Sequence, residues 1–225
     1  MHRPMSTPIA EVPREIGVRG VRLAGWLCLL AGALGVASGL VLLVVPESVP
    51  DDRFSYPLET GPFIAIQAWF AVQHLGLLAG QVGLWRAGAM GRGRWALAGH
   101  FVALAGMALL TATELIAISA AESLYPSGRT DVLDALYGVS TTAVGAGLVV
   151  AGVVGARRGA YSGWRRWITL SIGVYVFVPM FPALASGFVG ARLGITGWMV
   201  LYALAGWVLI RAPQREPAHY SMSVA

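Results

Sequence analysis

The sequence contains no lysine and a single cysteine, Cys28. Charged residues make up 12% of the chain, about half of the roughly 25% usual in soluble domains. Each shortage excludes something. A lone cysteine excludes an internal disulfide, a CxxC redox pair and a thiolate metal cluster. Its plain reading is a small buried hydrophobe. Scarce charge, with a mean hydropathy of +0.68, takes the chain out of the soluble class and into the membrane class. Signatures of catalysis are missing as well: there is no Walker A loop, no Gly-x-Ser-x-Gly and no His-Glu-x-x-His. YGVSTT at Tyr137–Thr142 lacks the small residue and glycine expected around the serine of a rhomboid protease. The missing lysine, beside abundant Ala, Gly and Val, points to a high-GC bacterial genome.

What is present is a series of long apolar segments, at about 21–45, 63–85, 95–120, 132–156, 167–189 and 194–211. Each is near or above the roughly 20 residues that carry a helix across about 30 Å of hydrocarbon. Lipid offers backbone groups no partners, so the spans must be helical unless they close a barrel, and the alternation of barrel strands is absent. The fold class is therefore all-α: a polytopic membrane protein built as a six-transmembrane-helix bundle. Residues 1–20, polar and carrying Pro4, Pro8 and Pro13, read as a cytoplasmic tail. Residues 21–211 form the transmembrane domain and 212–225 a second cytoplasmic tail. The first segment is too long for a signal-peptide core and is read as an uncleaved span.

Arginine sets the orientation. One set of connections holds Arg3, Arg14, Arg19, Arg22, Arg86, Arg92, Arg94, Arg157, Arg158, Arg165, Arg166, Arg211 and Arg215; the other holds Arg53, Arg129 and Arg192. Positive residues stay inside, so both termini are expected in the cytoplasm of a bacterial inner membrane. The opposite face is acidic, with Glu47, Asp51, Asp52, Glu59, Glu122, Asp131 and Asp134. The net charge of +5 thus belongs to membrane topology and lipid head groups, and no nucleic acid is expected as a partner. Trp26, Trp85, Trp95, Trp164, Trp167 and Trp207 mark the inner interface. RGVRLAGW, GRGRWALAG and GWRRW open the outward-going segments alike, which fits three stacked helical hairpins. An inside-positive bias plus an aromatic belt would give the same look without a repeat.

Small residues fall on seams. Gly25, Gly32 and Gly39 share one stripe of the first segment, and Gly138, Gly145 and Gly152 one stripe of the fourth. Gly35 with Gly39, and Gly76 with Gly80, are small-xxx-small pairs, which read as close packing rather than as a site.

The candidate site comes from polar residues inside the spans. Gln67, His74 and Gln81 recur every seven residues in the second segment; His100, Met107 and Glu114 do so in the third. A tight turn near Met90 pairs Gln81 with His100, His74 with Met107 and Gln67 with Glu114 in depth. Gln73 lies off this stripe, toward lipid or another helix. A carboxylate in hydrocarbon costs several kcal/mol, so Glu114 must face the interior, find a partner or hold a proton. Thr111 and Thr113 stand close to it in sequence. If the protein is an enzyme, Glu114 is the acid or base with His74 and His100 assisting, and Gln67, Gln81 and Tyr175 line the substrate. If it is not, the same residues are interhelical hydrogen-bonders, each worth about 0.6 kcal/mol on average. No metal or cofactor is expected: His100 and Glu114 are about 21 Å apart along a helix, and His74 lies about 10 Å in depth from either.

In the fifth segment, Pro179 and Pro182 predict a kink, with Tyr175 one turn earlier able to bond a freed carbonyl. Asp131 and Asp134 open the fourth segment after Thr130, as charges and a cap suited to a helix N-terminus. The acidic runs of a Mg²⁺–diphosphate enzyme would be longer and on the other face.

The stretch WRRWITLSIGVYVFVPMFPALASGFVGARLGITGWMVLYALAGWVLIR, from Trp164 to Arg211, resembles uncharacterised six-span integral membrane proteins of actinobacterial type. The resemblance implies a bacterial inner membrane and no particular activity. Two classes follow. One is a non-enzymatic protein, transporter-like or an accessory or interaction subunit, whose partners are membrane lipids and a second copy or another membrane protein. The other is a membrane-embedded enzyme on a lipid or isoprenoid, with Glu114 as acid or base.

Overall fold

The computed structural model describes residues 14–211. Residues 1–13 and 212–225, the bulk of the two expected tails, lie outside the described residues. The helices are α1 (Arg14–Val44), α2 (Thr60–Arg86), α3 (Arg94–Ala117), α4 (Gly128–Arg158), α5 (Ile168–Tyr175), α6 (Phe181–Leu184) and α7 (Phe188–Ile210). A 3₁₀ turn, Ile118–Ala120, continues α3. The fifth span is composite, running from a 3₁₀ turn at Gly163–Trp167 through α5 and a π-helical turn, Val176–Met180, to α6. Pro179 sits inside that π turn. A proline without an N–H and with a ring against the preceding turn forces the wider winding, so the expected kink is a π-bulge.

Six helical stretches are long and apolar enough to cross a membrane, and no strand occurs among the described residues. α1 and α4 have 31 residues each, about 46 Å at 1.5 Å per residue, which exceeds the roughly 30 Å hydrocarbon core. The outer surface matches lipid: Leu30, Val72, Phe101, Val139 and Val178 are each more than half exposed. In water such a surface would be an aggregation hazard; in lipid it is solvated.

The spans close a circuit in which α1 packs on α2, α2 on α3, α3 on α4, α4 on α5 and α5 on α7, with α7 returning to α1. The most extensive interfaces are α1–α7 and α3–α4. Hairpin partners are therefore neighbours, but the long α1–α7 seam ties the chain's first and last spans into one body.

Glycine makes the close seams. A Cβ on Gly32 would lie 2.5 Å from the Ala203 amide nitrogen and 2.8 Å from the Met199 carbonyl, so α1 and α7 touch backbone to backbone there. Gly145 and Gly152 meet Val176 and Leu170 on the fifth span, while Gly138 meets nothing within 4 Å. The tight α3–α4 contact uses Gly99, Gly106 and Gly147. At the start of α4 the cap is Ser127, not Thr130. The Ser127 hydroxyl accepts from the Thr130 N–H, and the Thr130 hydroxyl accepts from the Ser127 N–H, a reciprocal capping box.

Candidate functional site: a polar cluster beneath the acidic end

Glu114 on α3 is the centre. It is 7% exposed, and its neighbours arrive from three other helices. The Tyr137 hydroxyl on α4 donates to Glu114 Oε2 at 2.7 Å. The Gln67 amide on α2 donates to the Tyr137 oxygen at 3.1 Å. His74 Nδ1, also on α2, stands 3.9 Å from Glu114 Oε1. That is too long for a hydrogen bond, and His74 Nδ1 has no partner among the described residues. Arg192 on α7 lies within Coulombic reach of both Glu114 and Tyr137. Its guanidinium also sits over the Phe188 ring, 5.2 Å from the centroid.

The cluster is closed toward the acidic end. The α1–α2 and α3–α4 connections lace together there through an isolated antiparallel bridge, Arg53 with Leu124. Phe54 N donates to Ser123 O at 3.0 Å, Tyr125 N to Asp52 O at 2.7 Å, and Arg53 Nη1 to Glu122 O at 3.0 Å. Phe54 packs onto Ala117, Ala120 and Leu133, the apolar patch that Tyr137 also touches, one turn beyond Glu114. Two phenols tie the loops to carboxylates: Tyr56 to Glu47 at 2.6 Å and Tyr125 to Asp134 at 2.9 Å. These bonds hold both phenols above their ordinary pKa, because losing the proton would set two negative oxygens face to face.

The two sequence stripes do not form one seam. Gln67 and Glu114 belong together, as expected, but Tyr137 stands between them. His74 is drawn to Glu114 rather than held a full 10 Å away. Gln81 turns to α7, where its amide donates to the Tyr202 hydroxyl at 2.9 Å, and does not face His100. His100 instead stacks on Trp85, with ring centroids 4.9 Å apart and planes within 8°. Gln73 is buried and donates to Met199 Sδ at 3.1 Å, so it faces α7 rather than lipid. The Tyr175 hydroxyl abuts Gly197 on α7, and no hydrogen bond joins it to the Glu114 cluster among the described residues. Thr111 and Thr113 bond back to the carbonyls of Met107 and Leu109 on their own helix.

Tyr137 and Arg192 were not singled out by the sequence. Tyr137 sits ten residues into a glycine-rich helix, and Arg192 counted as a loop charge. A signal existed for Arg192: it lies at the start of an apolar run long enough that its first turns must enter the membrane. Among the described residues no group of three His, Cys, Asp or Glu side chains gathers to hold a metal ion. The chain matches no protein-family model, no curated protein and no solved structure.

Proposed function

We propose that this multi-span membrane protein is non-enzymatic, a transporter-like or accessory subunit of a bacterial inner membrane with both termini in the cytoplasm. In this reading the Glu114 cluster is a lock that fixes how α2, α3, α4 and α7 meet. The observation that carries it is closure. Both Glu114 oxygens are turned to the chain's own groups, and the carboxyl, Gln67 and His74 are each 7% exposed or less. A general acid or base must come within hydrogen-bond reach of a substrate proton, and a covered carboxyl with its partners already in place is better suited to holding helices. Buried ionisable groups inside membranes pair with one another, and Glu114 and Tyr137 do so between α3 and α4 with Arg192 of α7 in Coulombic reach.

Glu114→Gln and Glu114→Ala test this in the full chain. The lock reading expects lowered resistance to unfolding, more for Ala than for Gln, and unchanged lipid extracts from the expressing cells. A normally folded Glu114→Gln protein with an accumulated lipid precursor would overturn it in favour of the enzyme. Proton leak through reconstituted Glu114→Ala vesicles places the protein on the transporter side of the class; tight vesicles place it on the accessory side.

A further inference from the structure

A second feature lies at the opposite, arginine-rich end and is independent of the Glu114 cluster. A cavity of about 1060 Å³ opens there between the start of α1, the α2–α3 turn, the end of α4 and the end of α7. Its size is just above the roughly 300–1,000 Å³ of small-molecule sites. Arg22, Arg86, Arg92 and Arg158 line it, and among the described residues no Asp or Glu does. All four arginines are exposed, so they stand at the mouth. The buried or half-buried part of the lining is largely apolar: Val21, Trp85, Leu209 and Ile210. The Tyr161 hydroxyl is buried in this region with no partner among the described residues. Burial pushes its phenol up to about 12, so it stays a neutral donor.

The level of the cavity is marked by tryptophan. Trp95, Trp164, Trp167 and Trp207 are all at least one-third exposed around this end. Arg94 lies over Trp95, Arg166 over Trp167, and both Arg165 and Arg211 over Trp207. Exposed indoles with arginines over them sit where acyl chains give way to head groups. The cavity therefore opens at head-group depth, with planar cationic forks at the mouth and an oily floor.

We infer that this cavity is a binding site for an anionic phospholipid of the adjoining leaflet, its phosphate held by Arg22, Arg86, Arg92 and Arg158 and the upper part of its tails lying on Val21, Trp85 and Leu209. Guanidinium matches phosphate oxygens two at a time, which a uniform basic surface does not do. A free phosphate would satisfy the arginines but leave the apolar floor wet. The floor is what selects a lipid.

The test uses the full chain, purified and stripped of lipid in a neutral detergent, then offered phosphatidylglycerol or phosphatidylcholine in mixed micelles. Bound lipid is counted by native mass spectrometry, with the melting temperature read in parallel. The site predicts a retained phosphatidylglycerol adduct and a melting shift that phosphatidylcholine does not give. Arg86→Gln with Arg158→Gln should weaken phosphatidylglycerol binding about thirtyfold, since each arginine near an anionic lipid is worth about a fivefold change. Val21→Trp, which fills the floor and keeps every arginine, should weaken it as well. Arg129→Gln at the acidic end should change nothing. Phosphatidylglycerol binding that survives the double arginine change, or that Val21→Trp leaves intact, overturns the site in favour of diffuse surface attraction. Inorganic phosphate protecting the lipid-free protein as well as phosphatidylglycerol does overturns the lipid assignment. Because Glu114 is unchanged throughout, none of these outcomes bears on the lock reading.

Discussion

Tyr137→Phe is the sharpest perturbation of the Glu114 cluster. The substitution keeps the ring against Ala117 and Leu133 and removes one oxygen. That oxygen is used twice, accepting from Gln67 at 3.1 Å and donating to Glu114 at 2.7 Å. Two buried groups lose a partner together. A hydrogen bond to a charged group contributes about 1.5–3 kcal/mol, and an orphaned buried polar group costs about 1–3 kcal/mol. Interhelical bonds in membranes average only about 0.6 kcal/mol and reach about 1.7, because unfolded chains in lipid find substitutes. Gln67 also bonds the Glu114 carboxyl but loses its own phenol partner in the same change, so Oε2 is left without an equal substitute. His74 Nδ1, at 3.9 Å, faces the other oxygen and falls short even of that. The upper part of the range therefore applies, and the expected loss is about 2 kcal/mol, roughly thirtyfold in the folding equilibrium. Tyr202→Phe is the internal control: it removes one bond, from Gln81 at 2.9 Å, and should cost about 1 kcal/mol. Both are measured by titrating SDS into mixed micelles and following helix content and tryptophan emission. A loss below about 0.5 kcal/mol for Tyr137→Phe, or one no larger than that of Tyr202→Phe, refutes the reasoning. So does a double-mutant cycle with Glu114→Gln whose coupling is near zero.

Three further outcomes follow. Gly32→Leu should destabilise by about 3 kcal/mol or prevent folding, because its side chain would meet α7 backbone that cannot give way; Gly138→Ala, with nothing within 4 Å, should be neutral or stabilising by up to about 1 kcal/mol in the same titration. Cys28 is 0% exposed and donates to the Tyr202 carbonyl at 3.2 Å, so the native protein should resist maleimide and react in full once unfolded; fast labelling of the folded chain would contradict the α1–α2–α7 packing. The phenols of Tyr56 and Tyr125 are raised above the usual value of about 10, so their bonds stabilise the acidic-end loops fully below that pH and are lost as pH rises past the folded values. Phenolate absorbance should show Tyr56 titrating late, and Glu47→Gln should bring it earlier; no change in that midpoint would remove the loop tie.

The fold was legible because lipid leaves few choices. Long apolar segments had to be helices, and arginine placement divided the connections into two sets. Seams were legible where glycine repeats at sevens, as with Gly25, Gly32 and Gly39 against α7. Gly99 and Gly106, seven apart on α3, make the α3–α4 contact and obey the same spacing, though they were not picked out, and the spacing overstated Gly138. A spacing says that residues share a stripe, not which neighbour the stripe meets. The lacing of Phe54 and Arg53 to Ser123 and Glu122 left no pattern at all, since it joins two irregular loops through backbone groups that any residue carries.

The cluster itself shows why depth counted along the chain placed His74 too far from Glu114. Pairing by residue number assumes that side chains stand perpendicular to the helix. They do not: each Cα–Cβ bond leans toward the N-terminus of its own helix. α2 runs from the acidic end toward the arginine-rich end, and α3 runs back. His74 therefore leans toward the acidic end while Glu114 leans toward the arginine-rich end, and two residues about 10 Å apart in backbone depth converge to 3.9 Å. The same lean separates Gln67 from Glu114, which were matched in depth. Gln67 tips toward the acidic end as Glu114 tips away, and the Tyr137 hydroxyl bonds both. Tyr137 enters on α4, which runs in the same direction as α2, so its ring also leans toward the acidic end and reaches both from below. Antiparallel neighbours bring together residues offset in depth, and here a third helix supplies the hydroxyl that bridges two that are level.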